Sequence, residues 1–160
     1  MSGTPDWLPE LIRLSDYGGK WGDYVEAVYE VFRRDFIESQ PKYLARWVRC
    51  RLDPLYGSKE AAFWHCIQEG ADEAQRTPSF RRCERIAWPR AIIENAHDPA
   101  VQVWATRRRR ESRTCLWYGE EYLVVLGERR RFWQLITAYP TDREHTRRNL
   151  RKDMMRAKNV

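Results

Sequence analysis

The stretch Val101-Gln102-Val103-Trp104-Ala105-Thr106 sets Val101, Val103 and Ala105 on one side of the chain and Gln102, Trp104 and Thr106 on the other. That period of two is the spacing of a β-strand. Three more segments follow at short intervals. Residues 113–118 read as a second strand, Tyr122-Leu123-Val124-Val125-Leu126 as an apolar central strand, and 132–139 as a fourth. Gly119-Glu120 and Gly127-Glu128-Arg129-Arg130 supply the turns between the later ones. Strands joined by tight turns form an antiparallel meander.

Upstream the period changes. Between residues 21 and 38, Tyr24, Val25, Val28, Tyr29, Phe32 and Phe36 recur at three and four, which predicts a helix. Pro41 opens a second segment that Asp53-Pro54 and Gly57 break, and a further helix is expected over 59–69, stopping at Gly70. The polar stretch 71–82 reads as a loop, and 83–91, with Pro89, as an extended lead-in. Pro140-Thr141-Asp142 then caps a basic helix over 143–158. The expected fold class is α+β: N-terminal helices packed on one face of a four-stranded antiparallel β-meander, with a basic C-terminal helix.

The chain has 160 residues, enough for one domain, and carries 29 Lys+Arg against 23 Asp+Glu, a net charge of +6. Arginine supplies 24 of the 29 cations. Guanidinium forks suit phosphates and base edges, and they suit structural ion pairs equally. Eight Trp, eight Tyr and five Phe exclude a disordered chain, whatever the mean hydropathy of −0.78. No apolar run approaches a membrane span, and the first nine residues lack a basic-then-apolar leader. Cys50, Cys66, Cys83 and Cys115 form no CxxC pair, so free thiols in the cytoplasm are expected and a structural zinc is not.

Several residues have the chemistry of a phosphate site. His65 is either a general acid or base facing the sheet or a half-buried structural histidine. Arg81, Arg82 and Arg85, with Trp88 and Arg90 close by, interleave cations with an aromatic platform. They read either as phosphate ligands with a stacking face or as a salt-bridged loop. Arg107, Arg108, Arg109 and Arg110 fall at the first hairpin tip of the meander, and Arg129 and Arg130 at the third. In a meander those tips lie at the same end of the sheet, so two cationic clusters converge there, for binding or simply as exposed charge against aggregation. Thr137 and Tyr139 end the last strand on one face, offering a hydroxyl and a phenol. His145 opens the last helix, and Lys59 precedes His65 by less than two turns. His97 reads as a surface turn residue. Nucleophile-elbow, P-loop and dinucleotide motifs are missing, and no set of carboxylates suggests a catalytic metal. Phosphodiester cleavage by this chain would therefore run without metal or other cofactor. It would use a base for the ribose 2′-OH, an acid for the leaving oxygen and cations on the phosphate.

Phe63-Trp64-His65, Arg81-Arg82-Cys83-Glu84-Arg85-Ile86, Trp88-Pro89-Arg90, Tyr122-Leu123-Val124-Val125-Leu126 and Thr137-Ala138-Tyr139 come in an order that resembles the BECR superfamily. That superfamily comprises the barnase, EndoU, colicin and RelE-like ribonucleases, here in the form of small phage- and plasmid-associated bacterial proteins. The resemblance spans about residues 59–150. It implies a BECR-like α+β domain over 59–160 preceded by an N-terminal helical segment over 1–58, the two forming one compact unit. It also implies a metal-independent RNA endonuclease of toxin or phage-defence type, attacking through the 2′-OH of tRNA or mRNA. Carried over by position, the resemblance points to His65, one or more of Arg81, Arg82 and Arg85, and Thr137 or Tyr139. Taken with the residue chemistry above, the expected catalytic set is His65, Arg82, Arg85, Thr137 and Tyr139. Lys59, Arg81, Trp88, Arg90, Arg107 to Arg110, Arg129, Arg130 and His145 are expected to contact the nucleic acid, with Trp88 stacking a base. An antitoxin or immunity protein is the expected second partner, and no membrane is. The alternatives are a non-catalytic nucleic-acid-binding protein, and a phage or plasmid accessory protein that inhibits a host nucleic-acid machine by contact.

Overall fold

The structure is a computed structural model and describes residues 3–70 and 76–158. The helix expected over 21–38 forms as α1 (Trp21–Phe32), running directly into a π-helical turn, Arg33–Glu38. Tyr24, Val28 and Phe32 are fully buried along its inner stripe. The chain then makes two short strands, β1 (Lys42–Tyr43) and β2 (Arg46–Arg49), a two-stranded hairpin of β3 (Leu55–Tyr56) with β4 (Lys59–Glu60), and α2 (Ala61–Ile67). A second small hairpin, β5 (Gln68–Glu69) with β6 (Thr77–Pro78), leads into α3 (Phe80–Glu84) and α4 (Trp88–Glu94). Then come β7 (Val101–Arg108), β8 (Glu111–Tyr118), β9 (Tyr122–Glu128), β10 (Trp133–Pro140) and α5 (Glu144–Lys158).

Three expectations about the fold are corrected. The main sheet has six strands in the order β1-β2-β10-β9-β8-β7, not four. The meander β7 to β10 is there, and the N-terminal segment extends it because β2 pairs in parallel with the start of β10, Val48 opposite Trp133 and Arg49 opposite Gln134. Helices cover both faces, not one. The unbroken run Tyr122–Leu126 points buried side chains both ways, so each face needs a cover. Tyr122, Val124 and Leu126 pack with α1, α2 and α4, while Leu123 and Val125 pack with Trp104, Trp117 and Met154 under α5. Trp104 thus serves the second core, donating its indole N–H to Asp153 of α5 (2.7 Å). Finally, 83–91 is not extended. Ser79 caps α3, its hydroxyl accepting from the Arg82 N–H, and Pro89 sits in the first turn of α4, where its missing N–H leaves no bond unmade.

The basic reading of the C-terminal helix is also corrected. Arg151 pairs with Glu120 and Glu144, and Arg147 donates to the carbonyls of Glu120 and Thr141. These two arginines lash the β8–β9 turn to the helix start and are taken up by protein partners. Of the stretch 71–82 expected as a loop, residues 71–75 lie outside the described residues, and the rest contributes β6 and the start of α3. Among the described residues no helix is long and apolar enough to cross a membrane.

Candidate functional site

β10 carries the site because one of its edges is open. β9 pairs with its whole length, but β2 reaches only Trp133 and Gln134. From Leu135 to Pro140 no strand of the described residues occupies the other edge, and α2 and α3 stand beside it. The register against β9 slips between Leu135 and Thr137, making Ile136 a bulge. Bulges re-aim side chains locally.

His65 is half-buried on α2, held in place by the buried neighbours Phe63, Cys66 and Ile67. Arg76 Nη1 lies 2.9 Å from His65 Nδ1. A guanidinium only donates, so in this contact Nδ1 is the acceptor. Arg76 also reaches the Gln68 carbonyl, while its own Nε is buried with no acceptor among the described residues. Arg82 Nη1 donates to the carbonyls of Gln68 (2.6 Å) and His65 (3.3 Å), and its guanidinium lies 5.6 Å from the ring centre of Tyr139. One side chain therefore ties α2, α3 and β10 together. Burial pushes the Arg82 guanidinium below the ordinary arginine range, and the positive Arg76 pushes the same way. No carboxylate of the described residues is in ion-pair contact with Arg82. Burial likewise raises the Tyr139 phenol, against the opposing pull of Arg82 and Arg108, so it stays protonated and is available as a donor.

Two cavities flank this junction. A groove of about 680 Å³ runs between α3 and the end of β10, carrying Arg81, Arg82 and Arg143 together with the hydroxyls of Ser79, Tyr139 and Thr146. Arg81 pairs with Asp142 across it. A smaller cavity of about 210 Å³ lies on the other side, where His65 and Thr137 meet. A third, of about 160 Å³, adjoins the groove and holds Arg81, Arg85 and Arg147.

His65, Arg81, Arg82, Arg85, Thr137 and Tyr139 are thus gathered along one edge and its neighbouring hollows. Other candidates are not. Lys59 is 8% exposed and paired with Glu26 of α1, over the ring of Tyr29. Trp88 is 7% exposed, its indole donates to the Pro9 carbonyl, and its ring meets Tyr118 and Tyr122 edge-on, which leaves no face for a base. Arg85 covers it instead. Arg90 bonds the Asp35 carbonyl, the Ser39 hydroxyl and Glu94. His145 and His97 are exposed.

The hairpin tips form a separate cluster at the other end of β10. Arg107, Arg108, Arg109, Arg110 and Arg130 are exposed, and of these Arg108 still acts on the Tyr139 phenol. Arg129 crosses from one tip to the other, its Nη1 2.6 Å from Glu111 Oε1, while Arg113 Nε takes the second oxygen at 2.8 Å. Gly127 makes room for this bridge: a Cβ there would sit 2.8 Å from Arg129 Nη1 and 2.9 Å from Glu111 Oε1.

Arg76, Arg143 and Gln134 join the site without any sign in the sequence. Arg76 stands alone in a polar stretch, and Gln134 looks like an ordinary strand residue. Among the described residues no group of three or more His, Cys, Asp or Glu could hold a metal. The four cysteines are free and buried. No known protein-family model, curated protein or solved structure matches this chain.

Proposed function

We propose that the chain is a metal-independent RNA endonuclease acting at the open edge of β10. The observation that carries this reading is Arg82: a half-buried guanidinium without a carboxylate partner among the described residues, seated between the histidine-bearing helix and the tyrosine-bearing strand. A second guanidinium, Arg76, stands beside it. Neighbouring cations in a partly buried hollow attract an anion, and a phosphodiester fits both charge and donor geometry. Arg82, with Arg81 freed from Asp142, neutralises the phosphate, Tyr139 orients it from the groove, and Thr137 faces the nucleotide from the neighbouring cavity. Arrival of the phosphate draws Arg76 off His65 Nδ1. The imidazole then takes the 2′-OH proton and returns one to the leaving 5′-oxygen. The 2′-oxygen–phosphorus bond forms as the phosphorus–5′-oxygen bond breaks, leaving a 2′,3′-cyclic phosphate and a 5′-hydroxyl.

The Arg76–His65 bond also favours a second reading, a protein that binds nucleic acid without cutting it, since Nδ1 is occupied. Incubation with defined RNA in EDTA distinguishes the two. Cleavage yields cyclic-phosphate ends, and His65→Ala loses about 10²–10⁴-fold in rate while RNA affinity survives. Binding with no cleavage by the unaltered chain overturns the enzyme reading. Cleavage undiminished in folded His65→Ala removes His65 from it.

A further inference from the structure

The 210 Å³ cavity beside His65 has a wall that strands rarely supply. Gln134, Leu135, Ile136 and Thr137 all line it. Side chains alternate along a strand, so four consecutive residues can share one cavity only where it lies against the strand's edge. This is the edge that β2 leaves after Gln134, and the bulge at Ile136 opens it further. Edge N–H and C=O groups that no neighbouring strand takes up must find partners elsewhere. Ala62 and Cys66 of α2 add apolar surface opposite the strand. Polar groups come from His65, Arg51, Gln134 and Thr137, which also line it.

A cavity of this size with apolar surface from a helix and the hydrogen-bonding edge of a strand has the chemistry of a nucleobase site. Bases in single strands are bound on their faces by apolar or aromatic surface and read on their edges by backbone and amide groups. The cavity holds one unpaired base and has no room for a base pair. Its position fits as well. Thr137 borders this cavity and Tyr139 borders the arginine groove, two residues apart on the same strand, about 6–7 Å. One nucleotide spans that distance, with its phosphate at Arg82 and its base against β10.

We infer that the cavity between α2 and the open edge of β10 is a nucleobase pocket, with Gln134 as its specificity-determining residue. This inference rests on the RNA reading above and adds that the site selects a particular unpaired base next to the bound phosphate. The test is fluorescence anisotropy of the full chain with 2′-O-methyl pentamers, which cannot be cut: the four homopolymers and one abasic oligomer of equal charge. The expected result is that one or two homopolymers bind at least about tenfold tighter than the abasic oligomer, the scale of one well-placed stacked and hydrogen-bonded base. Gln134→Ala shrinks that ratio to about threefold or less, and Gln134→Glu, which replaces the amide's donors with acceptors, re-ranks the homopolymers. Each variant's abasic affinity serves as its own reference, and its melting temperature confirms folding. Equal binding of all five oligomers overturns the base pocket and leaves the phosphate site standing. So does a base preference unchanged in both variants. No binding of any oligomer at low salt overturns the pocket and the RNA reading together.

Discussion

The guanidinium of Arg82 lies 5.6 Å from the ring centre of Tyr139 while its Nη1 donates to the His65 carbonyl of α2 and to that of Gln68 just beyond it. The fork is thus fixed at one end and leaves its remaining donors toward the groove. Lysine keeps the charge but has one nitrogen in place of the fork's three, so it cannot sit on the two carbonyls and also present separate donors to a phosphate in the groove. Arg82→Lys is expected to lower kcat/KM for RNA by at least about tenfold with a small change in melting temperature. Arg82→Ala, which also strands the Gln68 and His65 carbonyls, should cost about 1–3 kcal/mol of stability. Parallel melts and cleavage rates check both. Full activity in Arg82→Lys would show that the fork is not used.

Tyr139 should act as a donor and never as a base. Its phenol is held up by burial and keeps its proton over the range of an ordinary assay, about pH 5 to 9. Tyr139→Phe therefore removes one hydrogen bond to a charged phosphate, worth about 1.5–3 kcal/mol, or roughly 10- to 150-fold in rate. The shape of the pH–rate profile stays the same. A limb of the profile that vanishes in Tyr139→Phe would assign the phenol a titrating role and contradict this placement.

The meander was readable because its signals are local: alternation, apolar runs and turn residues within a few positions. β1 and β2 lack such signals. They are two and four residues long, joined through Leu44 and Ala45, both at positive φ (48° and 66°) with no glycine to mark the turn. Pro89 suggested extended chain, yet it is equally at home in the first turn of α4. In the site, the chemical types of His65, Arg82, Thr137 and Tyr139 stand out along the chain, whereas burial does not. Lys59 meets Glu26 from 33 positions away and Trp88 meets the Pro9 carbonyl from 79, contacts that only the packed chain makes. The open edge of β10 depends on where β2 stops, which no pattern within β10 encodes.

The tip of the β7–β8 hairpin is strained. Arg109 and Arg110 both have positive φ, 51° and 67°, in a two-residue turn that ordinarily takes Asn-Gly. Left-handed backbone costs an L-residue about 1–2 kcal/mol. Arg109→Asn with Arg110→Gly should stabilise the chain and weaken RNA binding. It should also reduce the log–log salt slope by about one to two phosphate contacts from a starting value of roughly four or more. Turnover at saturating RNA should hardly change, because the tip lies at the far end of β10 from Tyr139. Loss of turnover in this variant, with affinity intact, would move the reacting centre to the tip.

Glu111 holds the two hairpin tips together and masks two of their cations. Burial works to raise its carboxyl, but hydrogen bonds from Arg113 and Arg129 outweigh that and leave it below the ordinary glutamate value of 4.5. A carboxyl depressed by folding contributes stability above its unfolded pKa and loses it as pH falls through the folded one. Glu111→Gln should therefore lower stability at neutral pH by about 0.5–1.5 kcal/mol, the scale of a partly exposed charge-assisted bond. The gap between variant and parent should close as pH drops below 4.5. The same change removes one negative charge and releases Arg113 and Arg129 beside the exposed tip arginines, so RNA affinity at low salt should rise and its salt dependence steepen. Denaturant melts across pH and anisotropy titrations across salt test the two halves separately. A stability gap that widens in acid would reverse the sign assigned to Glu111, and unchanged RNA affinity would mean that the tips do not touch phosphate.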